Sequence, residues 1–85
     1  MVNDTLELKV FLNRSKLRQE ILKKLNEGEQ IATFLSKDLK KHRSVISRVL
    51  LDLTEKGLAE CLNPDAGNYR RYKITQKGKD ILQEL

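Results

Sequence analysis

The stretch KKHRSVISRVL, Lys40 to Leu50, holds the densest chemistry in the chain. Lys40, Lys41, His42, Arg43 and Arg48 are cations or potential cations, and Ser44 and Ser47 place hydroxyls among them. This group is not equipped for catalysis. A nucleophile with its base, paired acids or a GxxxxGK phosphate loop would each need residues that this chain lacks or scatters. What it can do is bind anions. A guanidinium forks onto phosphate or onto the edge of guanine, an ammonium acts as a point charge, and a serine hydroxyl donates or accepts with several bases. The plain alternative is a solvated helix face. The distribution of sign argues against it. Residues 37–48 contain five Lys or Arg (Lys37, Lys40, Lys41, Arg43, Arg48) and one acid, Asp38, whereas residues 52–60 contain three acids and only Lys56. An ordinary solvated face mixes the signs more evenly.

Other chemistries find little support. His42 is the only histidine and Cys61 the only cysteine, and they are far apart in sequence. A metal site needs more ligands than that, so no metal and no cofactor is expected. His42 reads as a turn or helix-start residue near phosphate, with a charge that responds to pH. Cys61 alternates with Glu60 and Leu62 and reads as a small buried hydrophobe. An enzyme is not expected, and no motif specifies a small-molecule effector.

The elements that must position this group follow from periodicity. The leader, residues 1–13, is ambiguous. Leu6, Leu8, Val10 and Leu12 alternate as in a strand, but Asp4 and Glu7 have the spacing of a capping box, which favours a short helix. Leu17, Ile21, Leu22 and Leu25 follow a helical rhythm, with Asn13 or Ser15 as cap and Gly28 as stop. Ile31 or Ala32, Leu35 and Leu39 mark a second short helix. Ile46, Val49, Leu50 and Leu53 mark a third, ended by Gly57. The period then changes to two. LAECLN and YRRYKIT read as strands of a hairpin, with a loop of about five residues from Pro64 to Asn68. Thr75 caps a last helix with apolar contacts Ile81, Leu82 and Leu85.

Two short helices joined by about three residues near Lys40 to His42 must cross steeply, which is helix-turn-helix geometry, and a hairpin directly afterwards makes a wing. If Ile46, Val49, Leu50 and Leu53 face inward, helical steps of about 100° turn Arg43, Ser44, Ser47 and Arg48 outward. The segments RSVISRVLLDLTEKGL and YKITQKGKDIL resemble the winged helix-turn-helix transcriptional regulators of archaea and bacteria. They look most like the small archaeal ones, with kinship to the MarR, ArsR and PadR groups. The resemblance runs from Arg14 to Leu85. It implies an α+β fold in one domain, 1–85: the leader at 1–13, a three-helix core at 14–57, the wing at 58–75 and a C-terminal helix at 76–85. It also implies a double-stranded DNA partner, read by the helix 43–57 in the major groove and held by the hairpin on the backbone or minor groove. The candidate DNA-binding residues are Lys37, Lys40, Lys41, His42, Arg43, Ser44, Ser47, Arg48, Arg70, Arg71 and Lys73. One departure stands out. Such proteins often have glycine in the turn where this chain has Lys40.

On the wing, Tyr72 and Ile74 alternate with Arg71 and Lys73, so one face packs and the other is cationic. Basic residues there can reach a narrow minor groove, or merely blunt an exposed strand edge. Tyr69 and Tyr72 could stack on bases, though Tyr72 reads better as packing. Reading two half-sites needs a two-fold homodimer. The candidate surfaces for it are Leu6, Leu8, Val10, Phe11, Ile81, Leu82 and Leu85, and the alternative is that these residues complete the core. The rival function is a winged-helix protein-interaction adaptor in a transcription or replication assembly, and RNA binding is a further one.

The whole chain agrees with these readings. Its 85 residues suit a single small domain, and a net charge of +5 favours a polyanionic partner. A lone cysteine allows no intrachain disulfide, and no apolar run approaches membrane-spanning length. The first residues lack the pattern of a signal peptide. The expected location is the cytoplasm, with no membrane contact.

Overall fold

The computed structural model describes residues 4–85 and, of Asn68, the backbone alone. Residues 1–3 of the leader lie outside the described residues. The order is α1 (Asp4–Asn13), α2 (Lys16–Glu27), α3 (Ala32–Leu39), α4 (Arg43–Glu55), β1 (Ala59–Cys61), a 3-10 segment (Pro64–Tyr69), β2 (Tyr72–Ile74) and α5 (Gln76–Gln83). The leader is therefore a helix, and the candidate recognition helix is the fourth rather than the third. Asp4 and Glu7 both lie in the first turn of α1, where negative charge meets the positive end of the helix dipole.

The joint between α1 and α2 is closed by side chains of α2. Ser15 is the N-cap, and its hydroxyl accepts from Arg18 N at 3.2 Å. Arg18 Nη1 donates to Phe11 O at 2.8 Å and Gln19 Nε2 to Leu12 O at 3.0 Å. The last carbonyls of a helix lack intrahelical partners, so α2 supplies two of those missing for α1. Lys24 ties α2 to α3 through Asp38 at 2.8 Å. That hydrogen bond first, then the charges of Asp38 and Glu27, hold the Lys24 ammonium above its ordinary range. The pair is therefore fully formed at neutral pH and lost only as strongly alkaline pH removes the proton.

The core is a single cluster. Leu8 and Leu12 of α1, Ile21, Leu22 and Leu25 of α2, Leu35 of α3 and Ile46, Val49, Leu50 and Leu53 of α4 are buried together with Leu58, Ala59, Tyr72, Ile74 and Ile81. The stripe expected on α4 is the stripe that is buried. Cys61 is half-buried against the cluster.

Two helix ends use the same device. Gly57, at φ +75°, follows α4, and Leu58 N donates back to Leu53 O at 2.9 Å. Lys40, at φ 54° and ψ 45°, follows α3, and Lys41 N donates back to Ser36 O at 3.1 Å. Both are Schellman closures, whose left-handed residue is usually glycine. Thus Lys40 does stand in a glycine-type position, and the turn forms with a lysine in it. Ser36 Oγ donates to Lys41 O at 2.7 Å and clamps the same turn. A β-carbon in the left-handed region is disfavoured by about 1–2 kcal/mol.

The wing is shorter in strand and longer in loop than its periodicity suggests. Ala59 faces Ile74, Glu60 faces Lys73 and Cys61 faces Tyr72 in an antiparallel pair of three residues each. The expected loop of five residues, Pro64 to Asn68, is corrected to a connection spanning residues 62–71. Asn63 is the reason. Its Oδ1 accepts from Arg71 N at 2.6 Å and its Nδ2 donates to Tyr69 O at 3.2 Å, so beyond the backbone bond from Leu62 N to Arg71 O at 2.8 Å a side chain replaces the strand ladder. Pro64 then opens the 3-10 segment, which breaks at Gly67 with φ 59°. Gln30 adds a third, single-residue edge, exchanging backbone hydrogen bonds of 2.9 and 2.8 Å with Tyr72.

Thr75 caps α5 as expected, accepting from Gly78 N at 3.0 Å while donating to Gly57 O at 2.6 Å. A β-carbon at Gly78 would run into the carbonyl of Leu58 and the side chain of Ile74. Gly78→Ala should therefore destabilise the fold by about 1–3 kcal/mol, seen as a lower midpoint in urea unfolding. Lys40→Gly should move the midpoint the other way. Relief of the left-handed lysine outweighs the added freedom of the unfolded chain, for a gain of about 0.5–1 kcal/mol. A destabilised Lys40→Gly protein would contradict the strain at this turn.

Candidate nucleic-acid interface

Burial of one stripe of α4 sets the direction of its other residues. Arg43, Ser44, Ser47, Arg48 and Leu51 are all exposed. They form one wall of a groove of about 460 Å³ whose far side is built by Gly67, Arg70 and Tyr72 of the wing, with Ala32 at the edge. The structure thus brings together four of the α4 candidates and one of the wing candidates. Arg70 is steadied by donating from Nε to Pro64 O at 2.9 Å, which leaves its terminal nitrogens without a protein partner among the described residues.

The other candidates lie around this groove rather than in it. Lys40, Lys41 and His42 make the exposed turn between α3 and α4. His42 is the N-cap of α4. Its Nδ1 accepts from Ser44 N at 3.4 Å and lies 2.9 Å from Ser44 Oγ. Lys37 lines a separate shallow hollow with Gln30, Phe34 and Asp38. Arg71 and Lys73 are exposed on the wing, but each is met by an acid: Arg71 by Glu29 at 3.0 Å, Lys73 by Glu60 at 3.1 Å. Neither lines the groove.

This contrast organises the electrostatics. Among the described residues, no ion pair engages Lys37, Lys40, Lys41, Arg43 or Arg70. The one acid within that run, Asp38, is taken by Lys24 from α2. The positive end of α4 opens in the same place, adding partial charge of the same sign. The surface around the start of α4 is therefore a field of uncompensated cations.

Two groove residues escaped the sequence reading. Leu51 is 45% exposed, a large apolar side chain on a polar face. It lies seven residues after Ser44, two helical turns along the same face, so the helical step that located the serines also locates it. Gly67 is the left-handed tip of the wing segment, hidden by the expectation of a plain five-residue turn. Tyr72 is buried, as its packing reading holds, while Tyr69 is 74% exposed.

The apolar candidates for a dimer surface divide. Leu8 and Ile81 are buried in the core of the protomer, so completing the core describes those two. Phe11 and Leu82 pack half-buried against it. Leu6, Val10 and Leu85 are exposed. Among the described residues no cluster of three His, Cys, Asp or Glu side chains could hold a metal ion, and no helix is long and apolar enough to cross a membrane.

No family model matches the chain. No curated protein matches it either. Solved structures do. A MarR family transcription regulator is 31% identical with a TM-score of 0.68, over 78% of this chain and 45% of that one. A MarR family transcriptional regulator from Silicibacter pomeroyi is 30% identical with a TM-score of 0.70, over 94% of this chain and 57% of that one. The adhesin competence repressor from Streptococcus pyogenes is 20% identical with a TM-score of 0.71, over 94% of this chain and 61% of that one; at that identity the likeness is one of fold. The chain spans about half the length of the solved proteins it matches. A helix pair joined by the turn 40–42, a hairpin wing and these likenesses make the chain a winged helix-turn-helix protein similar to the MarR-family transcription regulators.

Proposed function

We propose that this chain binds duplex DNA with sequence preference and regulates transcription. The observation that carries the reading is the groove between α4 and the wing, where Arg43, Arg48 and Arg70 converge on Ser44 and Ser47 beside uncompensated lysines. α4 enters the major groove by its first two turns, the part of a recognition helix that meets base edges. Ser44 and Ser47 are short enough to let the helix approach closely. Arg43 and Arg48 fork onto guanine or phosphate, and Arg70 grips the backbone from the wing. Lys37, Lys40, Lys41 and His42 hold phosphates around the start of α4. Arg71 and Lys73 contribute less, because each must first leave a carboxylate. Two of the similar solved proteins are MarR family transcription regulators, which supports the same reading.

DNA recognition of this kind favours a homodimer, and the exposed apolar residues of α1 and the chain end, Leu6, Val10 and Leu85, are its candidate surface. The cytoplasm is the expected location of such a complex. The alternative role, a winged-helix adaptor between proteins, predicts no duplex affinity.

Selection from random duplexes followed by mobility shift across salt concentrations tests the proposal. The logarithm of the affinity should fall linearly with the logarithm of salt, by about 0.9 for each phosphate contacted. Arg43→Ala and Arg48→Ala should each weaken the selected site about 5- to 150-fold, the range for loss of a bidentate base contact. Arg70→Ala should weaken all sequences alike and flatten the salt dependence by about one phosphate. Absence of duplex binding at low salt, or indifference to both α4 substitutions, would leave the adaptor reading in its place. In sedimentation the chain should behave as a dimer, and Val10→Asp should shift it to monomer; a wild-type monomer at binding concentrations would remove the dimer.

A further inference from the structure

Arg48 stands on a ridge between two grooves. It lines the one that faces the wing, and also a second one of about 800 Å³ towards α1, where Phe11, Arg14, Arg18 and Asp52 form the walls. Its side chain is 76% exposed, and its Nε lies 3.7 Å from Asp52 Oδ1, on the second side. Asp52 is only 24% exposed and is shared: its other oxygen, Oδ2, is 3.9 Å from Arg18 Nη2. Arg18 is the fixed member of the set. It donates to Phe11 O at 2.8 Å and its guanidinium lies 4.0 Å above the centre of the Phe11 ring. A chain of contacts therefore runs from α1 through Arg18 and Asp52 to the exposed Arg48 of α4.

We propose that Asp52 is a positioning residue for Arg48: it holds this arginine on the α1 side of α4 in the free protein, competes with DNA for it, and passes the placement of α1 to the DNA-facing surface. The inference rests on the DNA-binding reading of α4. Asp52 is one turn beyond Arg48, an i,i+4 neighbour that a flexible arginine reaches or leaves at little cost. An exposed pair of this kind is worth well under the gain from a bidentate contact with guanine, but it is comparable to one phosphate contact. Releasing Arg48 from Asp52 costs the same in every complex, so Asp52 lowers the affinity for any duplex and leaves only the stronger base contact clearly favourable. Arg18 tunes the competition, because an oxygen engaged by Arg18 draws charge away from Arg48. A shift of α1 moves Phe11, and with it Arg18.

The test is a double-mutant cycle on the full chain. Wild type, Asp52→Asn, Arg48→Ala and the double variant are compared on a selected duplex and on a scrambled one, across salt. Glu55→Gln serves as control, since it also removes one negative charge from α4 but makes no ion pair among the described residues. Asp52→Asn should tighten the scrambled duplex about two- to fivefold and steepen the salt dependence by about one phosphate. It should tighten the selected duplex by a similar factor. In the Arg48→Ala background the same substitution should do no more than Glu55→Gln. Partial unfolding of Asp52→Asn would weaken binding, the opposite sign. Arg18→Gln should weaken binding about twofold more in the presence of Asp52 than in the Asp52→Asn protein. Equal tightening with and without Arg48 would reduce the effect to bulk charge and overturn the proposal. Equal effects of Arg18→Gln with and without Asp52 would cut the link to α1. If the wild-type chain binds no duplex at all, the DNA reading itself fails. A wild type that binds while Asp52→Asn tightens neither duplex more than Glu55→Gln does refutes the positioning role alone.

Discussion

The rotation of α4 about its own axis is the constraint on which the rest of the surface depends. Ile46, Leu50 and Leu53 are fully enclosed and Val49 nearly so. Burying such side chains is worth about 1.5–3 kcal/mol each, far more than any exposed ion pair on the opposite face can return. The helix therefore cannot turn to satisfy its cations. It holds its apolar stripe against α2, α3 and β1, and the arginines and serines go where that leaves them. They end up facing the wing because Gly57 reverses the chain directly after α4, and because Thr75 and Gly78 let α5 close tightly against Leu58.

The placement of α4 along its axis depends on a second constraint, the turn before it. Lys40 adopts a conformation that a β-carbon resists, and the resistance is met by local bonds: Lys41 N to Ser36 O, and Ser36 Oγ to Lys41 O. A glycine there would form the turn with less strain, but it would remove an ammonium from beside the start of α4. Stability and charge pull in opposite directions at this position, and the chain carries the charge. The same trade appears at Asp38, whose negative charge is answered by Lys24 from α2 rather than by the lysines next to it. Those lysines stay available.

Much of this was legible in the sequence because it rests on period and on cap chemistry. The α4 stripe, Ser15 and Thr75 as caps, Gly57 as stop and the alternation of Tyr72 with Lys73 all follow from spacing, and all are present. The leader could not be decided by alternation, since Leu6, Leu8, Val10 and Leu12 suit either period over so short a run. Its helix is fixed by contacts that no local pattern displays, the reach of Arg18 and Gln19 to its last carbonyls. The wing loop was misjudged for a similar reason. Asn63 replaces ladder bonds with side-chain bonds to residues six and eight positions away, and a reading by turn residues alone stops at Pro64. Of the site, α4 was readable through its core face. The neutralisation of Arg71 and Lys73 was not, because one of their partners, Glu29, lies 42 residues away in the chain.

That neutralisation gives the surface a direction. Counting charge along the sequence, the wing is as basic as α4, and both ends of the interface look alike. In space they differ. Arg71 and Lys73 are each compensated within about 3 Å, so their field at a distance is that of a dipole and falls steeply. Lys37, Lys40, Lys41, Arg43 and Arg70 act as bare charges whose attraction extends to about a Debye length. A polyanion approaching from solvent is thus drawn first to the start of α4 and the tip of the wing, and only at contact range does it meet the paired residues. Arg48, tethered to a carboxylate at a longer distance than either wing pair, stands between these two classes. It is the cation whose availability the rest of the fold can most readily change.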